Sequence, residues 1–240
     1  MQKKIYPGEI HIYTLKLRNF LQNISDLQEN LIASEIERAN KFKFNIDRSN
    51  FIVGRFWLRK LLSFYLQSIP SEIKLSLNQF GKPILDIAQH ENLKFNLSHS
   101  GNLIIYSFCL NSEIGIDIEK IETSINHLEI AEHYFTETEK SYLKKSNNSK
   151  QLINRFFKIW TRKESLLKAI GTGLLLDLKQ IDILNDQFYF NNYTFANKLS
   201  NNKLWYIKDL AIDDNYSAAI AYSGNSKTIV RSELELMFVD

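Results

Sequence analysis

Twice along this chain a strand pattern is followed by a helix-start signal, a long run at helical spacing and then further strands. That repeated order is the strongest constraint on what the chain can fold into. The first pass opens on "EIHIYTLKL" (9–17), where Ile10, Ile12 and Leu15 or Leu17 alternate with polar neighbours as in a strand. "SEIE" (34–37) reads as a capping box starting a helix that bears Arg38 and Lys41, and "NFIVGRFWLRKLLSFYL" (50–66) is apolar at helical spacing with Arg55 and Arg59 four apart. "KLSLNQFGKPIL" (74–85) reads strand, turn, strand, and "LKFNLSHSGNLIIYSFCL" (93–110) reads strand, loop, strand. The second pass begins with the strand "EIGIDIEKI" (113–121), continues through a second capping box at Thr136 and Glu139 and the long helix "QLINRFFKIWTRKESLLKAI" (151–170), and ends in strands. The order predicts an α/β (α+β) protein of two similar halves, 1–111 and 112–240, joined without a long linker, with a ligand cleft favoured at their interface.

At 44% hydrophobic and 24% charged, the 240 residues suffice for such a pair of units. A net charge of +3 allows a modestly anionic partner but falls short of what a dedicated nucleic-acid binder carries. The start "MQKKIYPGEI" has no apolar signal core, and the apolar run near Leu103 to Leu110 is far short of the ~20 residues a membrane span needs. These features predict a soluble cytoplasmic protein. The single cysteine, Cys109, excludes an internal disulfide or a cysteine-rich zinc site and reads as a small buried hydrophobe.

The chemistry concentrates in "IGIDIEKIE" (114–122). If Ile114, Ile116 and Ile118 share one face of a strand, Asp117 and Glu119 share the other, with Cα atoms roughly 6–7 Å apart. A third acid lies on the long helix, where Ile153, Phe157, Trp160, Glu164 and Leu167 fall in one stripe. Lys163 lies near that stripe's edge and Lys168 one turn beyond Glu164. Arg162 and Lys158 fall opposite and are expected to be solvated, while Gly171 and Gly173 end the helix. Three carboxylates at one site, with each like-charge pair costing about 4 kcal/mol at ~4 Å and an effective dielectric of ~20, require a proton or a cation. An all-oxygen set suits Mg²⁺ or Mn²⁺ better than zinc, and Mg²⁺ commonly shares its shell with phosphate oxygens. The alternative is that Asp117 and Glu119 are the wet side of an edge strand and Glu164 pairs with Lys168. Donors for phosphate are offered by Lys82 on a turn stiffened by Pro83, and by Ser98, His99 and Ser100 between two strands. Arg38, Lys41, Lys43, Arg48, Arg55 and Arg59 could form an anion patch or merely cover apolar surface.

Taken in order, "FGKP", "FNLSHSG", "GIDIE" and "FFKIWTRKESLLKAIGTGL" resemble the motif series of the surfactin-type (Sfp-like) 4′-phosphopantetheinyl transferases, over Gly81 to Leu174. The resemblance implies a pseudo-two-fold pair of α/β halves with coenzyme A and Mg²⁺ in the cleft between them. It implies transfer of the phosphopantetheine arm onto a serine of an apo acyl, peptidyl or aryl carrier protein, with release of adenosine 3′,5′-bisphosphate. By similarity Asp117, Glu119 and Glu164 would bind the metal. Lys168 would stabilise the reacting phosphates or protonate the leaving group, and Glu164 or a metal-bound water would be the base. Lys82, Pro83, Ser98 and His99 would hold the nucleotide end, with Lys163 also among the coenzyme A contacts. The chain departs from the family's basic pattern at Asn50 and near Glu35, which shifts the 3′-phosphate contact to Arg38, Lys41 or Arg48. A monomer is expected, with no nucleic-acid or membrane partner. Two rivals are another Mg²⁺-dependent phosphate enzyme, against which the missing G-x-x-x-x-G-K-[ST] loop speaks, and a non-catalytic coenzyme A or carrier-binding module.

Overall fold

A computed structural model describes residues 4–86, 92–171, 177–190 and 203–234. The first sheet runs, in order, β10 (Thr228–Glu233), β1 (Glu9–Lys16), β5 (Leu103–Leu110) and β4 (Leu93–Ser100), and the second β6 (Ile114–Lys120), β9 (Tyr216–Ser223), β8 (Lys203–Asp209) and β7 (Gln187–Phe190). In the first, β1 lies antiparallel to β5, which pairs with β4. In the second, β6 lies antiparallel to β9, followed by β8 and β7. A separate hairpin joins β2 (Leu75–Leu77) to β3 (Pro83–Leu85).

The repeated order is real in three dimensions. β1 is followed by α1 (Ile24–Glu29), α2 (Ala33–Asn40) and the 22-residue α3 (Asn45–Leu66); β6 is followed by α4 (His127–Tyr134), α5 (Glu137–Lys144) and the 22-residue α6 (Ser149–Ile170). Both long helices stop on a left-handed residue, Gln67 (φ 52°) and Gly171 (φ 77°). Gly173 lies outside the described residues. Position 111/112 falls between β5 and β6, but β10 (Thr228–Glu233) returns to pair in parallel with β1, so residues 112–240 also complete the first sheet.

Apolar side chains form three layers of core. Val53, Leu58 and Leu62 of α3 pack on Tyr13, Leu15 and Phe108; Ile10, Ile12, Ile105 and Cys109 meet Ile114, Ile116, Ile118 and Ile220 between the sheets; Phe156, Ile159 and Leu166 of α6 pack on Trp205, Ile207 and Ala221. β1 can be apolar on both faces because each faces a different layer. Among the described residues no helix is long and apolar enough to cross a membrane.

Each half is pinned by the same buried device. Arg59, fifteenth in α3, donates to Glu35, third in α2, at 2.8 Å and to the carbonyls of Pro70 and Ile73 in the turn that follows. Lys163, fifteenth in α6, lies 2.9 Å from Glu139, third in α5, and donates to the carbonyls of Leu178 and Ile181. This corrects the expectation that Lys163 contacts coenzyme A. Its side chain is 1% exposed, and its visible partners are Glu139 and backbone carbonyls away from the cleft. Arg162 also departs from expectation, being buried and bound to Asp209 and Asp186, while Lys158 is half-exposed and pairs with Asp209. The second capping box forms as read, with Thr136 and Glu139 exchanging bonds. The first is displaced: Ser34 lies inside α2, and Glu35 reaches back to the N–H of Ile32.

Candidate active site

β6 carries the acids because its alternation sends Ile114, Ile116 and Ile118 into the inter-sheet core and Gly115, Asp117 and Glu119 to the other side. Gly115 is where α6 crosses most closely. A Cβ there would lie 2.1 Å from the Ser165 carbonyl oxygen and 2.2 Å from the Ala169 nitrogen, so only glycine fits. This close approach brings Glu164 and Lys168 of α6 beside Asp117 and Glu119, and all four line one cleft of about 470 Å³.

Lys168 Nζ donates to Asp117 Oδ1 at 2.6 Å and to Ser98 Oγ at 2.8 Å, and the Ser98 hydroxyl donates to Asp117 Oδ1 at 2.9 Å. The alternative pairing of Glu164 with Lys168 therefore gives way to a lysine on Asp117. Nor is Asp117 wet: β6 is an edge strand, but β4 covers it, and the Asp117 side chain is 2% exposed. Ser98, His99 and Ser100 belong to β4 itself and not to a loop, since the hairpin turns over Gly101 and Asn102 alone.

The same cleft is lined by Arg38 and Arg55, both within 5.5 Å of the Phe51 ring, and by Asn50, Gly81 and Pro83. Arg55 is 3.4 Å from the buried Glu35, which accounts for an acid where more basic residues were expected. Lys41 pairs on the surface with Glu37, Arg48 donates to Gln28, and Arg59 is committed to Glu35; none of these three lines the cleft. Arg55 stands outside the three residues expected at the 3′-phosphate from the sequence, and the fold brings it into the cleft beside one of them, Arg38. Lys82 points its Nζ at the carbonyls of Ile114 and Ala169, and its hairpin is tied to the end of α6 by Asn78 Nδ2, which donates to Gly171 O. Burial lowers the Lys82 amine to about 8. Lys82 lines a second cavity of about 250 Å³ that shares Glu164 and Lys168 with the main cleft.

The acids press on one another. Burial first and then Asp117 raise Glu119 to about 7, with Glu164 adding to the shift, and burial followed by Asp117 raises Glu164 as well. His99, which also lines the cleft, is held below the ordinary imidazole range first by loss of water around its ring and then by the Lys168 ammonium.

Among the described residues no three His, Cys, Asp or Glu side chains form a ready-made metal cage. A divalent cation that retains waters and shares phosphate oxygens needs no such cage. The donor set fits it: Asp117 Oδ2 is buried without a hydrogen-bond partner, and two further carboxyls, Glu119 and Glu164, lie close enough for the Asp117 charge to raise the pKa of each.

Comparison with known proteins bears on the whole of this arrangement. Residues 113–221 match the family model described as the 4′-phosphopantetheinyl transferase superfamily, and residues 18–110 match that of the 4′-phosphopantetheinyl transferase N-terminal region. The chain is 35% identical to the 4′-phosphopantetheinyl transferase HetI of a Nostoc species over 222 residues, 92% of this chain and 90% of that protein. It is 31% identical to the 4′-phosphopantetheinyl transferase Sfp of Bacillus subtilis, over 77% and 78% of the two chains. It is also 28% identical to the mouse L-aminoadipate-semialdehyde dehydrogenase-phosphopantetheinyl transferase, over 78% and 65%. The chain belongs to the 4′-phosphopantetheinyl transferase superfamily and is an enzyme of that class.

Proposed function

We propose that this enzyme transfers the phosphopantetheine arm of coenzyme A to a serine hydroxyl of an apo carrier protein, in a Mg²⁺-dependent reaction that releases adenosine 3′,5′-bisphosphate. The observation that carries the reading is the meeting of Asp117, Glu119, Glu164 and Lys168 in one cleft that two guanidiniums also line. Arg38 and Arg55 attract the anionic nucleotide end, and Gly81 and Pro83 line the same cleft. Asp117, Glu119 and Glu164 are the residues that would hold Mg²⁺, which when bound supplies positive charge to offset that of the pyrophosphate.

The serine oxygen attacks the phosphorus on the pantetheine side of the pyrophosphate. A new P–O bond forms there as the bond to the bridging oxygen breaks, and the electron pair leaves with adenosine 3′,5′-bisphosphate. Glu164, its pKa raised by burial and by Asp117, is the helix-borne carboxylate available to take the serine proton. Lys168 hydrogen-bonds the departing phosphate oxygens and lowers the cost of their charge. On the other side of Glu119 a groove lined by Lys120, Ile125, Ile130 and Trp160, with Leu128 exposed near it in sequence, gives the carrier access. One chain builds the whole cleft, so the enzyme acts as a monomer.

Intact-protein mass spectrometry of apo acyl, peptidyl and aryl carriers incubated with the enzyme, coenzyme A and Mg²⁺ tests this. One phosphopantetheine should be gained, not in EDTA and not by a carrier whose serine is replaced by alanine. No gain on any carrier, or a gain that persists in EDTA, contradicts the reading.

A further inference from the structure

The two sheets meet at the site through their edges, β4 of one and β6 of the other, with no backbone ladder between them. An edge strand turns every second N–H away from its partner, and such groups need acceptors when buried. On β6 the outward N–H of Ile116 donates to Asn96 Oδ1 at 2.9 Å and that of Lys120 to Ser100 Oγ at 3.0 Å. Between them Ser98 Oγ donates to Asp117 Oδ1, and Ser100 Oγ donates to Glu119 Oε2, both at 2.9 Å. Asn96, Ser98 and Ser100 are i, i+2 and i+4 on one strand and share a face. The numbers rise together on both strands, so β4 and β6 run side by side in the same direction, joined by side chains at each step.

We propose that this polar stripe is a ladder made of side chains, and that Asn96 and Ser100 are positioning residues for the acids, Asn96 by fixing the height of β6 and Ser100 by fixing the Glu119 carboxylate. A serine hydroxyl has one proton to give. That of Ser100 is spent on Glu119 while its lone pair holds the Lys120 N–H, which leaves Ser100 no proton for a phosphate. It is thereby distinguished from a nucleotide contact, as is Ser98 on the same face, whose proton goes to Asp117 while its oxygen accepts from Lys168, although the sequence presents both in one run with His99. The inference rests on the metal reading above, and it concerns how firmly Glu119 is aimed.

The test compares Ser100→Ala, Ser100→Thr and Asn96→Ala with the wild type. Mn²⁺ binding is followed by electron paramagnetic resonance with coenzyme A present, coenzyme A binding by calorimetry, and folding by melting temperature. Ser100→Ala should weaken Mn²⁺ binding about tenfold, as loss of a partner behind a ligand does. It should leave coenzyme A affinity and the melting temperature unchanged, and Ser100→Thr should restore most of the loss. Asn96→Ala should weaken Mn²⁺ binding in the same direction and also lower the melting temperature. Unchanged Mn²⁺ affinity in Ser100→Ala overturns the proposal, as does a loss of coenzyme A affinity alone, which would make Ser100 a phosphate contact. A wild type that binds no Mn²⁺ overturns the metal reading itself, and this proposal with it.

Discussion

Lys168 Nζ lies 2.6 Å from Asp117 Oδ1, and the two partners differ sharply in exposure, the lysine 31% and the aspartate 2%. Removing one is therefore not equivalent to removing the other. Lys168→Ala strands a buried carboxylate and should cost about 2–3 kcal/mol in metal-free protein, at or below the low end for a broken buried pair because the lysine is partly solvated. Asp117→Asn keeps the shape and frees a lysine that can turn to water, so its melting temperature should stay close to that of the wild type. Thermal denaturation in EDTA checks this, and an equal loss in both variants would contradict it.

Gly115→Ala should be among the most damaging single-methyl changes in the protein. The added carbon would sit 2.1 Å from Ser165 O, backbone that cannot swing aside, so β6 and α6 must part. A loss of about 3 kcal/mol or more is expected, at the upper end for overpacking, together with lost turnover because Asp117 lies two residues on. Urea denaturation reads the first effect and a transfer assay the second. A wild-type midpoint would mean that strand and helix are not this close.

Lys163→Met should leave Glu139, which is fully buried, without its countercharge. The expected cost is about 3–5 kcal/mol of stability, with coenzyme A affinity unchanged in whatever fraction is folded. Calorimetry at low temperature separates the two, and a weakened coenzyme A affinity with normal stability would return Lys163 to the cleft.

Metal-free protein should lose stability as pH rises from about 4.5 to about 7. The folded Glu119 carboxyl keeps its proton up to about 7, whereas in the unfolded chain it releases it near the ordinary 4.5, so across that window the unfolded state gains by ionising first. After allowance for partial solvation the effect is on the order of 1–2 kcal/mol, or roughly 4 °C in melting temperature. Melting at pH 5 and pH 8 should differ by that much less in Glu119→Gln than in the wild type. An identical difference in both would show that Glu119 titrates normally.

The sequence made the repeat and the acids legible because both rest on local periodicity: alternation puts Asp117 and Glu119 on one face, and helical spacing puts Glu164 and Lys168 one turn apart. What it hid depends on partners far along the chain. Lys163 and Lys168 look alike on one helix, and what separates them is Glu139 on α5, which claims the first, and Ser98 on β4, which with Asp117 claims the second. Arg162 looked solvated because Asp186 and Asp209 come from the β7–β8 region, whose packing on α6 no spacing reveals. Polar Asn96, Ser98 and Ser100 resembled a loop because a strand edge bridged by side chains carries the same residues as a turn. The return of β10 to β1 likewise leaves no local trace.

The most direct measurement sets wild type beside Asp117→Asn in one experiment, with coenzyme A binding by calorimetry and transfer to an apo carrier by intact-protein mass spectrometry in Mg²⁺. The account predicts that the folded variant binds coenzyme A through Arg38 and Arg55 of the cleft and transfers at least about a hundredfold more slowly. A folded variant that transfers at the wild-type rate would show that the seam between β4, β6 and α6 is not where the reaction takes place.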